Sequence, residues 1–199
     1  MNDEQLILKF LDGDAGAFNT LVWRWEKPIF NFILRYIGDE DASKDVLQQI
    51  FIRAYKSLKR LKDREKFSCW LYSIALNQCH DELRRRKKNH FPIDDGGYEE
   101  DSEVKGKHVT LWDADARTES VIHRENISEI LNRALQQIPP EQRVVIIMKE
   151  YHGLKFTEIE EILEVPINTV KSRMYYGLSA LQKIFKQWGI DREVVGYEM

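Results

Sequence analysis

The sequence predicts an all-α protein: two small helical domains joined by an acidic linker, the C-terminal one containing a helix-turn-helix. Three observations predict this. Apolar residues recur at helical spacing over most of the chain, and no window alternates long enough for a strand. The stretch 91–118 has no sustained period, carries Gly96, Gly97 and Gly106, and is dense in acids, which is linker composition. Near the C-terminus, two short helical patterns meet at Pro166. The expected division is 1–90, 91–118 and 119–199, and 199 residues leave room for two small cores.

Each element follows from its own pattern. Leu6, Ile7, Phe10, Leu11, Phe18, Leu21 and Val22 suit a helical pair broken near Gly13 and Gly16. Trp23 to Ile37 continues with Trp25, Phe30, Phe32 and Tyr36, and Gly38-Asp39-Glu40 is a stop signal. A second strong helix is expected from about Ala42 to Leu58, then a charged loop from Lys62 to Lys66, then a helix from about Phe67 to Lys88. Beyond the linker a helical pattern resumes near Glu119 and includes Ile127, Ile130, Leu131, Ala134, Leu135 and Ile138. Pro139-Pro140 breaks it. Val144 to Tyr151 reads as a buried helix stopped by Gly153.

The segment Lys155–Leu181 carries the strongest functional pattern. Thr157 and Glu160 have the spacing of a capping box, and Ile159, Ile162 and Leu163 give the helix they start one apolar face. Pro166 should end that helix, and Asn168 should cap the next. At about 100° per residue, Val170, Met174, Leu178 and Leu181 point inward. Asn168, Ser172, Tyr175, Tyr176 and Ser179 point outward, with Lys171 and Arg173 on the flanks. A helix-turn-helix lays such a second helix in the DNA major groove. An ordinary helical hairpin with a solvated polar face would show the same spacing.

A net charge of −3 hides a polar distribution. Phe91 to Glu125 holds ten acidic and four basic residues, a balance of −6, which leaves +3 for the rest of the chain. The run Arg84-Arg85-Arg86-Lys87-Lys88 directly precedes the acidic stretch. It ends a stripe formed by Ser73, Asn77, His80, Arg84 and Lys88, with Trp70 at its edge and Leu71, Ile74 and Ala75 on the opposite side. Aromatic rings stack on bases, amides read base edges and cations neutralise phosphate. A core tryptophan followed by a solvated basic helix end is the plainer alternative. Cys69, Cys79 and His80 lack metal-ligand spacing, and Asp94, Asp95, Glu99, Glu100, Asp101 and Glu103 lack the loop of a calcium site, so neither metal nor cofactor is expected. There is no phosphate-cradling glycine loop and no nucleophile elbow, which argues against an enzyme. No run of about 18 apolar residues occurs and the start is acidic, so a cytoplasmic protein without membrane insertion is expected.

Several motifs in order resemble those of the extracytoplasmic-function (ECF) sigma factors of the sigma-70 family. Gly13-Asp14 with Ala17-Phe18 is similar to the family's GD-x-x-AF start. Asp45-Val46-Leu47-Gln48, Phe51 and Ala54-Tyr55 resemble its D-[VL]-x-Q-x-x-F-x-x-AY helix. Trp70 to Asn77 resembles WL-x-x-IA-x-N, and Leu135 to Arg143 resembles L-x-x-LPPEQR with Ile138 in place of leucine. Gly153 to Leu181 resembles the family's helix-turn-helix signature, but Asn168 replaces a glycine, Glu161 an alanine, and Tyr175-Tyr176-Gly177 the usual x-R-A.

The resemblance implies roles. The N-terminal domain would bind and open the promoter −10 element, with Arg64, Glu65, Lys66, Phe67 and Asn77 holding a flipped-out base. Trp70, His80 and Arg84 extend that surface along their helix. Asp45, Gln48, Gln49 and Tyr55 would dock on the β′ clamp helices of core RNA polymerase, which the β subunit supplements. Lys171, Ser172, Tyr175 and Tyr176 would read the −35 duplex beside Asn168, with Thr169 and Arg173 on its backbone and Lys149 in support. The family also implies an anti-sigma factor as a partner. Two other readings stand beside this one: a stand-alone helix-turn-helix regulator, and a helical adaptor that binds only protein.

Overall fold

Polar caps and left-handed turns set the helix boundaries in the computed structural model, which describes residues 1–90 and 127–190. Asn2 accepts from the Gln5 N–H at 2.9 Å while the Gln5 side chain accepts from the Asn2 N–H at 3.1 Å, so a capping box starts α1, Asp3–Leu11. The chain turns at Gly13, where φ is +104°, and Asp14 caps α2, Ala15–Ile37, at the Gly16 and Ala17 amides. The break therefore lies at Gly13 alone, and Gly16 belongs to the first turn of α2. That helix runs through Pro28 and stops at Gly38, whose φ of +80° only glycine adopts without strain. Asp39 caps α3, Glu40–Ser57, at the Ala42 amide. A tight turn, Leu58–Arg60, and the charged loop lead to α4, Phe67–His90.

The linker 91–118, its acidic side chains and the start of helix near Glu119 lie outside the described residues. The chain resumes in α5, Ile127–Gln137. The next helix starts four residues before the expected Val144. It is α6, Pro140–Ile146, because proline at the first helical position loses only an amide that had no partner. It widens into a π-type turn over Ile147–Tyr151, and Gly153 at φ +65° ends it. Two helices complete the fold: α7, Phe156–Leu163, and α8, Ile167–Gln187. No strand occurs among the described residues.

The helix-turn-helix differs from its sequence reading in three places. Helix α7 starts at Phe156, and Glu158, not Thr157, supplies the cap by accepting from the Lys155 N–H at 2.6 Å. Glu160 instead accepts from the Ile167 N–H at 2.9 Å, tying α7 to the start of α8. The turn is made by Glu164 at φ +54°, Pro166 occupies the cap of α8, and Asn168 falls inside its first turn. The inward stripe is Val170, Met174, Gly177, Leu181 and Ile184, while Leu178 is 46% exposed. Gly177 lets α8 approach α6 closely, since a Cβ there would lie 2.7 Å from the Ile146 side chain.

Leu6, Ile7, Leu21, Ile29, Phe32, Ile33, Ile50 and Leu71 form the core of α1–α4, and Leu135, Val145, Ile147, Met148, Ile159 and Val170 that of α5–α8. The two halves also pack on each other. Gln136 donates to the Arg35 carbonyl at 2.8 Å, and Arg143 donates to the Tyr36 carbonyl at 2.8 Å. His152 lies 2.8 Å from the Tyr72 hydroxyl and against the Phe32 ring.

Candidate nucleic-acid interface

Helix α4 presents part of the stripe expected of it: Ser73 and His80 are half-buried. Leu71, Tyr72, Ala75, Leu76 and Cys79 face the core, while Asn77, Arg84 and Lys88 are exposed. Trp70 is half-buried, with its ring tilted against Phe67 at 5.8 Å. Phe67 in turn packs edge-on against Trp25, whose Nε1 donates to Asp3 at 3.0 Å. These three rings prop the loop that enters α4.

Two residues assigned to the −10 element occupy a different environment from the one expected. Phe67 is 2% exposed, so it supports the loop from below and does not reach outward. His80 is half-buried with a ring nitrogen 3.0 Å from the Tyr36 hydroxyl. Its burial, with Arg84 nearby, holds its pKa below the ordinary histidine value. Both are packed against neighbouring helices and do not point outward. Arg64, Glu65, Phe67 and Ser68 line a shallow cavity together with Asn2, Asp3 and Glu4. Sequence reading did not bring the start of α1 there, because no local pattern reports that contact.

The basic run divides by structure. Arg85 and Arg86 both reach the buried Glu82 carboxylate, at 2.7 and 2.9 Å, and Arg86 also bridges to Asp39 at 3.2 Å. Arg86 thus ties α4 to the cap of α3, whereas Arg85 pairs within its own helix. Arg84 remains 77% exposed at its side chain and only 3.9 Å from Asp81, a pair worth little in water. Arg84, Arg85, Lys87 and Lys88 are all exposed on this end of α4, Arg85 while paired with Glu82.

On α8, Lys171, Ser172, Tyr175 and Tyr176 are all exposed, the tyrosines at 70% and 61%, and Asn168 joins them from the first turn. The two rings meet edge to face at 5.6 Å. The Ser172 hydroxyl donates to the Asn168 carbonyl at 2.8 Å. Thr169 and Arg173 are half-buried on the flanks. The Lys149 ammonium donates to the Leu154 carbonyl at 3.3 Å and lies 4.9 Å from the Phe156 ring centre, so it braces the approach to α7.

A third face lies on α3. Asp45, Gln48, Gln49 and Tyr55 are exposed along one side. Tyr55 is anchored edge-on against Phe10 and Phe18 at 5.2 and 5.1 Å, which fixes where its outer edge sits. Ile52, 47% exposed in the middle of this polar stripe, was missed by sequence reading. An apolar residue surrounded by amides and a carboxylate was the available signal. Free Cys69 and Cys79 are buried, and no cluster of potential metal ligands occurs among the described residues. No described helix is long and apolar enough to cross a membrane.

Comparison with known proteins agrees with this geometry. Residues 21–89 match the family model described as Sigma-70 region 2, and residues 128–181 match Sigma-70, region 4. The chain is 31% identical to the RNA polymerase sigma-H factor of Pseudomonas aeruginosa, over 91% of this chain and 92% of that one. It is 32% identical to the ECF RNA polymerase sigma factor SigW of Bacillus subtilis, over 86% and 90% of the two chains. Among solved structures, CnrH in complex with the cytosolic domain of CnrY superposes with a TM-score of 0.66 at 19% identity, covering 93% of this chain and 97% of that one. The sigma factor RpoE of Bartonella quintana, in complex with the anti-sigma factor NepR, gives 0.61 at 17% identity, covering 85% and 96%. At those identities the likeness concerns the fold.

Proposed function

This chain belongs to the ECF group of the sigma-70 family, and we propose that it recruits core RNA polymerase through α3 and grips promoter DNA at two points, through α4 and α8. It is a sigma factor that directs polymerase to specific promoters. The observation that carries the residue-level reading is the presence of three separate exposed faces on three helices. A stand-alone helix-turn-helix regulator would need only that of α8.

In this reading Asn77 receives an edge of an unstacked base, with Trp70 beside it and Arg84, Lys87 and Lys88 on phosphate. Arg64, Glu65 and Lys66 approach from the loop, which Phe67 and His80 help to position. Lys171, Ser172, Tyr175 and Tyr176 meet base edges in the major groove, and Asn168, Thr169 and Arg173 hold the backbone. Without the arginine usual at position 176, readout there rests on a tyrosine ring. Asp45, Gln48, Gln49, Ile52 and Tyr55 dock on polymerase. The division into 1–90, 91–118 and 119–199 follows, with each family match inside its domain. The chain carries no catalysis of its own, acts in the cytoplasm and is held by an anti-sigma factor, as the RpoE of B. quintana is by NepR.

Asn77→Ala is expected to lower transcription from a −10-dependent promoter about tenfold, since one good base contact is worth roughly 1–3 kcal/mol. Its affinity for core polymerase should not change; equal loss of both would refute the base-contact role. Ile52→Glu should do the reverse. It places a charge in the apolar centre of the docking face and should weaken core binding about tenfold or more in a fluorescence titration, leaving the melting temperature of the free chain within about 2 °C.

A further inference from the structure

We propose that Tyr176 makes this chain select a thymine within the −35 duplex, by laying its ring against the 5-methyl group in the major groove. The proposal rests on the sigma-factor reading above and concerns a position where this chain departs from the family's arginine.

Two residues adjacent in sequence build one apolar wedge here. Consecutive residues on a helix point about 100° apart and do not face each other. The Tyr175 and Tyr176 rings nevertheless meet at 5.6 Å with an interplanar angle of 72°. Edge-to-face contact is a favoured arrangement, so each ring restrains the other. Both remain largely in water, at 70% and 61% exposure. Between them on the outer face lie the small Ser172 and Ser179, and the Ser172 hydroxyl is already turned back to the Asn168 carbonyl at 2.8 Å. The two rings therefore stand above the middle of the face.

The back of α8 is supported at the same level. Gly177 is buried, and a Cβ on it would lie 2.7 Å from the Ile146 side chain and 3.2 Å from Gln142. The helix rests on α6 one residue beyond Tyr176, so a ring pressed into the groove has a packed element behind it.

Chemistry then decides the base. Guanine presents two acceptors in the major groove and is read by a forked cation. A tyrosine ring has no such fork, and pressing it on those acceptors would strip their water without replacing the hydrogen bonds. Adenine and cytosine present polar amino groups there, whereas thymine adds an apolar methyl that a ring can bury. Lys171 lies on the far side of the face, and Arg173 is half-buried on the flank assigned to the DNA backbone. That leaves the Tyr176 ring as the reader at this step.

Holoenzyme assembled from the full chain and core polymerase tests this on promoters with a randomised −35 region. One position among the sequences enriched by the wild type should carry thymine, and in Tyr176→Arg the preference there should move to guanine. Deoxyuridine in place of that thymine removes only the methyl. It should weaken promoter binding about fourfold, the worth of one buried methyl. In Tyr176→Ala the same substitution should cost less than about 1.5-fold, whereas Tyr176→Phe, which keeps the ring, should retain the full effect. A preference that does not move in Tyr176→Arg overturns the proposal. So does a uracil substitution that costs nothing in the wild type, or a methyl effect that survives Tyr176→Ala. Those results leave the sigma-factor reading intact, because the wild-type holoenzyme still selects a −35 sequence. Failure of the wild type to enrich any sequence overturns both.

Discussion

Arg143→Ala is expected to cost the C-terminal half about 3 kcal/mol. Arg143 is 7% exposed and its guanidinium donates to four acceptors: the Tyr36 carbonyl, the Gln136 side chain at 2.5 Å, and the Gln136 and Ile138 carbonyls at 3.0 and 3.1 Å. Two of these acceptors are main-chain groups at the end of α5, so Arg143 fixes how α5 meets α6 as well as how the halves meet. Alanine leaves those carbonyls buried and unpaired, and each such group costs about 1–3 kcal/mol. Desolvation lowers the Arg143 pKa, but the four acceptors keep the cation in place. With a denaturant slope of about 2 kcal/mol per molar urea, the midpoint should fall by about 1.5 M. Arg143→Lys should recover only part of this, because a point charge cannot reach four acceptors arranged for a planar fork. A midpoint shift under about 0.3 M would show that the network is incidental.

Arg143 also illustrates what the sequence could and could not reveal. Its place in the Pro139–Arg143 segment was legible as a family motif, but its partner Tyr36 lies 107 positions away. Periodicity reports which face of a helix is apolar, and it placed α3 and α4 well. It does not report which other helix covers that face. The contact between the halves depends on the carbonyl ends of α2 and on single side chains such as Gln136 and His152, none of which disturbs a local pattern. The misplaced caps of α7 and α8 have a related cause. Thr157 and Glu160 match a capping box by spacing, yet the chain enters α7 one residue before Thr157 because Leu154 is buried and its amide bonds the Met148 carbonyl at 3.1 Å. Tertiary packing chose among local signals of similar strength. Likewise Leu178 and Gly177 both fit an inward stripe within the tolerance of 100° per residue, and the close approach of α8 to Ile146 selects the glycine. The exposed polar faces of α3 and α8 were more legible, because exposed polar residues at regular spacing need no distant partner to be recognised. On α4 the exceptions were Phe67 and His80, whose aromatic rings find partners on α2.

The contact between the two halves is expected to weaken as pH falls from about 6.5 toward 5.5. His152 is the group responsible. Burial, with Arg35 nearby, drops its pKa to about 4 in the closed state. The groups around it are the Tyr72 hydroxyl from α4, Arg35 and the Phe32 ring from α2, and the neighbouring Tyr151; among them no carboxylate stabilises an imidazolium. In the open state the ring meets water and regains its ordinary value near 6.5. The closed state therefore binds fewer protons. Its advantage is complete above pH 6.5, is lost progressively between 6.5 and 4, and is constant below. At pH 5.5 the ratio of open to closed chain should rise by about fivefold to tenfold relative to pH 7.5. The scattering radius across that range measures it. His80 titrates against Tyr36 inside the N-terminal half, so His80→Gln should leave the pH dependence in place, whereas His152→Gln should flatten it. A slope that survives His152→Gln would assign the titration to another group.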